Sequence, residues 1–135
     1  MDIKLTASEF RHLLDLVYIG NWILNSTRGS DRIEGYDLLQ EKIFALAAQN
    51  GLPELAQTRP GRALPSRAYE EGGIHDAIAD YEDAVFFDIL AEELARRDMT
   101  DEHLNPDDIS ELTARMDSYM SEFEANGVEN INLDL

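Results

Sequence analysis

Apolar residues return at helical spacing along most of this chain, and that period constrains its fold more than any other feature. Phe10, Leu13, Leu14, Val17 and Leu24 fall on one face, while Leu16, Ile19, Trp22 and Ile23 widen that face until it is apolar nearly all round. Thr6 with Glu9 three residues on forms a capping box. The spacing therefore predicts a central, buried helix over residues 7–25, in which Asn21, on the Phe10/Leu14 side, needs hydrogen-bond partners.

After the turn residues NSTRGSDR, with Ser30 or Asp31 as cap, a second helix is expected over 31–49, with Tyr36, Leu39, Ile43, Leu46 and Ala47 as its inner stripe. Asn50-Gly51 is a left-handed stop signal and Pro53 reinforces it. A third helix is expected over 74–97. Its stripe is Ile74, Ile78, Tyr81, Val85 and Ile89, its arc is widened by Phe86, Phe87, Leu90 and Leu94, and Ala77, Ala84 and Ala91 allow close helix approach. A fourth, over 106–126, starts at Asn105-Pro106 and carries Ile109, Leu112, Met116, Tyr119 and Phe123 at alternating three- and four-residue steps. Residues 51–73 hold three prolines and four glycines and read as a long irregular loop; residues 127–135 read as a tail. The expectation is one all-α domain over 1–135, an up-down bundle of four helices with a long crossover between the second and third.

Charge narrows the choice of function. The chain has 28 acidic and 11 basic residues, a net charge of -17, and residues 68–126 alone hold eighteen acids against three bases. Such a field repels nucleic-acid backbones, so no direct nucleic-acid binding is expected, and a basic protein is the compatible charged partner. An acidic surface also serves solubility alone. The most apolar run, Leu13–Leu24, is interrupted by Asp15, Gly20 and Asn21, and the first residues lack a basic-then-apolar leader, so no membrane partner is expected. The chain has no cysteine, which fits a reducing, cytoplasmic setting.

Against that background, QTRPGRALPSR concentrates Arg59, Arg62 and Arg67 within residues 57–67. Two readings compete: an internal clamp onto the chain's own carboxylates, which is favoured, and a docking site for an external anion. On the third helix Asp76, Asp80 and Asp83 share a face with Phe87, Leu90 and Leu94. These aspartates, with Glu70 and Glu71, are the expected partners of the clamp. The competing explanation of the row is the ordinary preference of acids for early helix turns.

Enzyme signatures are sparse. Glu9-Phe10-Arg11-His12 is a lone Glu-x-x-His, His75 and His103 form no paired-ligand spacing, and neither a phosphate-cradling loop nor a nucleophile elbow occurs. No catalytic, cofactor or metal residue is assigned and no cofactor is expected. The expected role is a non-catalytic helical interaction module whose partner is a protein or a second copy. Alternatives are an acidic decoy for a basic, nucleic-acid-binding protein, and a metal- or small-ligand-binding bundle enzyme.

Overall fold

A computed structural model describes residues 1–135 and is mostly helical. Four long helices, α1 (Ala7–Asn25), α2 (Glu34–Phe44), α4 (His75–Asp101) and α5 (Ile109–Asn126), are joined by a small hairpin, β1 (Ala56–Arg59) with β2 (Arg62–Pro65), and by the short α3 (Arg67–Tyr69). The chain divides into two compact units, Met1–Ile78 and Ala79–Leu135, each with its own core.

In the first unit α1 begins as its sequence dictates. The Thr6 hydroxyl accepts from the Glu9 backbone N–H at 3.2 Å, and the Glu9 carboxylate accepts from the Thr6 N–H at 2.7 Å. Phe10, Leu14 and Tyr18 are buried against Phe44 and Ala47 at the end of α2, and against Tyr69, Ile74 and Ile78. Tyr69 packs edge-on to Phe44 and to Tyr18, with ring centroids 5.0 and 5.2 Å away. The expected all-round burial of α1 does not occur: Leu16 and Ile23 are 70% and 61% exposed.

The inner stripe expected for α2 is also corrected. Ala47 is buried and Ile43 half-buried, but Tyr36, Leu39 and Leu46 are exposed, and the inward face carries Asp37, Gln40 and Phe44. Hydrogen-bond satisfaction explains the rotation. Asn21 of α1 is buried, and its amide needs polar partners, which Asp37 and Gln40 on this face supply. The helix is also shorter than 31–49. The Asp31 carboxylate accepts from the Gly29 N–H instead of capping, Ile33 is clasped by the Asn25 side chain, and beyond Phe44 the chain tightens until Gly51 turns left-handed at φ 78°.

Residues 51–73 are not an irregular loop: they hold a small hairpin that the expected all-helical chain does not include. β1 and β2 pair antiparallel, Arg59 opposite Arg62, around Pro60-Gly61. Proline presets φ for the first turn position and Gly61 takes the positive φ, 71°, of the second. Ser66 then caps α3, accepting from the Tyr69 N–H at 3.1 Å, and a single π turn, Glu70–Ile74, kinks at Gly73 (φ 112°) into α4. The helical path thus begins before residue 74.

The second unit is an αα-hairpin of the remainder of α4 with α5. Ala91, Ala95 and Met99 of α4 and Leu112 and Phe123 of α5 are its buried side chains, with Met116 and Tyr119 half-buried beside them. The α5 seam therefore holds from Leu112, while Ile109 is exposed. On α4, Tyr81 and Ile89 of the expected stripe are exposed, and close approach runs through Ala91 and Ala95 instead of Ala77 and Ala84. Helix α4 continues past Arg97 to Asp101. Asp108, not Asn105, caps α5, accepting from the Ser110 and Glu111 N–H groups; Asn105 accepts locally from the Asp107 N–H, a competing turn that leaves Pro106 outside the helix.

Candidate functional site

The first unit carries a cleft of about 650 Å³ between α1, α2 and β2. Helical spacing places Tyr18, Asn21 and Trp22 of α1 along one wall, and Asp37, Gln40 and Glu41 of α2 along the other. A polar network holds the two helices in register. The Asn21 amide donates to Asp37 at 3.0 Å and to Gln40 at 3.3 Å, and the Asn25 amide donates to Asn21 at 2.8 Å. Arg32 forks onto Asp37 through Nε at 2.9 Å and Nη2 at 2.7 Å. These donors, Arg32 first and Asn21 second, pull the Asp37 carboxyl down to about 2.

Aromatic groups form the other end. The Tyr18 hydroxyl lies 2.7 Å from His75 Nε2, and the Trp22 ring meets the His75 ring edge-on at 4.9 Å. Burial, and then the Glu70 charge, raise the Tyr18 hydroxyl above its ordinary pKa. Tyr69 donates to Asp15 at 2.8 Å and is pushed well above the phenolic range, chiefly by burial.

The three arginines separate in role. Arg62 donates through Nε at 3.0 Å and Nη2 at 2.6 Å to one oxygen of Glu41, a carboxylate only 14% exposed, and so pins the hairpin onto α2. Arg67 donates to Glu71 at 2.7 Å, one turn along its own helical segment. Arg59 makes no ion pair, whereas each of the other eight arginines does. Asp76, Asp80 and Asp83 are exposed on α4 and likewise take part in none of the chain's ion pairs. A clamp exists at Arg62, and its partner Glu41 is one that the sequence reading did not single out. Its position on the α2 face opposite the hairpin is set by Asn21 and Asn25, a tertiary effect with no local signal.

Beyond the Arg62–Glu41 pair lies a second, shallower groove of about 490 Å³ between α2 and the hairpin turn. Leu38, Lys42 and Ala45 line it from α2, and Thr58, Arg59 and Ala63 from the hairpin. The ion pair is a wall common to both depressions.

Within the second unit the polar contacts knit the two helices. Tyr119 donates to Asp98, which holds that carboxyl below its usual range, and Arg115 reaches Glu102 at 2.6 Å and Glu111 at 2.6 Å. No three His, Asp or Glu side chains stand where they share a metal ion, and no helix is long and apolar enough to cross a membrane. The chain matches no protein-family model, no curated protein and no solved structure.

Proposed function

We propose that this chain is a non-catalytic protein-interaction module whose partner is a second copy. The supporting observation is the exposure of large apolar side chains on both α1 and α2. Leu16 and Ile23 of α1 lie seven residues apart, two helical turns along the side away from the buried Phe10/Leu14 face, and Tyr36 and Leu39 of α2 are exposed as well. Large apolar side chains left exposed on both helices support a surface that another protein covers. The expected up-down packing of α1, α2, α4 and α5 belongs to this proposal, with a second copy supplying the cover that each helix pair lacks.

Light scattering as a function of concentration tests it. The molar mass rises from the 15.3 kDa of the single chain towards twice that value, and Leu16→Glu with Leu39→Glu returns it to the monomer. A constant monomer mass at all concentrations removes the proposal.

The charge of residues 79–135 favours a second reading. They hold seventeen acids and three bases, all of the bases committed to internal pairs, so a basic protein surface is electrostatically complementary to them. Capture of a basic test protein such as a histone, lost between about 0.05 and 0.5 M salt because exposed charges are screened, separates this acidic-decoy reading from apolar docking.

A further inference from the structure

We infer that the groove between α2 and the hairpin turn is a docking site for the aspartate row Asp76, Asp80 and Asp83 of a second copy of this chain. The inference rests on the self-association proposed above and names the charged contact that aligns it.

The groove holds cations that the chain itself leaves unused. Arg59 and Lys42 line it and form neither an ion pair nor a side-chain hydrogen bond, in a protein with 28 carboxylates available. Arg59 stands directly opposite Arg62 across the hairpin, and like charges in directly opposed positions destabilise a strand pair. Glu41 neutralises Arg62. Nothing in the chain neutralises Arg59, so an anion arriving beside it and Lys42 removes a repulsion as well as making new contacts. The Thr58 hydroxyl adds a donor, and exposed Leu38 an apolar floor. The double contact of Arg62 with Glu41 keeps the turn against α2, so the cations are presented from a fixed frame.

The row carries the opposite surplus. Asp76, Asp80 and Asp83 follow one another at four and three residues along one side of α4, where like charges at this spacing repel. None has an ion-pair or hydrogen-bond partner, and all are exposed. The attraction of acids to a helix N-terminus accounts for Asp76 in the first turn, but it fades beyond that turn and leaves Asp80 and Asp83 unexplained. Exposed Ala77 and Ala84 beside the row let a partner surface approach closely. A nucleic-acid phosphate backbone is a poorer occupant, because two free cations supply little counterion release against a net charge of -17.

Sedimentation of the full chain, combined with charge reversal, tests the pairing. Wild type dimerises, and its dissociation constant rises with salt. The double variant Lys42→Glu with Arg59→Glu and the double variant Asp80→Lys with Asp83→Lys each weaken dimerisation about tenfold or more, with wild-type circular dichroism. Mixed together, the two variants regain the wild-type constant, since reversed groove then meets reversed row. The milder Lys42→Gln with Arg59→Gln shows a smaller loss in the same direction. A wild-type dimer abolished by Leu16→Glu yet untouched by Lys42→Glu with Arg59→Glu overturns the groove and leaves self-association standing. Loss in both variants without recovery on mixing overturns the row as occupant. A wild type that stays monomeric overturns self-association and the groove together.

Discussion

The two units spend their sequence in opposite ways. Residues 1–78 have eleven acids and eight bases and build their core from large side chains, with Leu14, Phe44 and Tyr69 almost wholly enclosed. Residues 79–135 have seventeen acids and three bases, and three of their five buried side chains are Ala91, Ala95 and Met99. Large rings contribute much apolar area each, while alanines contribute little area but let two helices approach closely. The first unit should therefore hold its shape by packing. The second depends more on cross-helix polar contacts, Tyr119 to Asp98 and Arg115 to Glu102, and is the more readily opened.

The contrast predicts unequal responses to truncation. Tyr69→Ala should cost about 4 kcal/mol, measured by urea unfolding, because it empties the centre of an aromatic cluster and removes the donor to Asp15. Phe123→Ala in the second unit should cost about 3 kcal/mol, at the lower end for a buried ring, because its neighbours Phe87 and Tyr119 are only half-buried. A larger loss for Phe123→Ala than for Tyr69→Ala would reverse the ranking of the two units.

Asn25→Ala should cost about 2 kcal/mol by the same measurement, since it strands the backbone N–H and C=O of Ile33 and one partner of Asn21. The acid limb follows from Asp37. Its folded pKa of about 2 lies below the ordinary 3.8, so its contribution is complete above about pH 4 and is lost as pH falls through about 2. Thermal melts between pH 5 and pH 2 should show this loss, and Asp37→Asn should flatten it. The smallest effect is expected at the hairpin. Arg62→Ala should raise proteolysis between Gln57 and Pro65 with helical circular dichroism unchanged, while Arg67→Ala, whose pair lies wholly within one local turn, should not.

Much of this contrast is legible in the sequence, and the misses have a common cause. The capping box at Thr6 and Glu9 and the α5 seam from Leu112 to Phe123 are local patterns, and both appear where the spacing places them. The need of Asn21 for partners is legible too, but not which residues meet it. Because Asp37 and Gln40 do, α2 turns a polar face inward and exposes Tyr36 and Leu39, a reversal that apolar periodicity alone cannot show. The hairpin had a signal, Pro60-Gly61 between short strands of four residues each, but too few residues alternate for a period of two to emerge. Of the candidate residues, Arg62 becomes a clamp, Arg67 a local pair and Arg59 a free cation. That division depends on where Glu41 and Glu71 come to lie.

Native-state hydrogen exchange, read segment by segment at low protein concentration, bears most directly on the unequal division of packing. Amides of α1 from Leu14 to Asn25 should exchange slowest, and those of α5 from Leu112 to Phe123 markedly faster. Equal protection of the two segments, or slower exchange in α5, would contradict it.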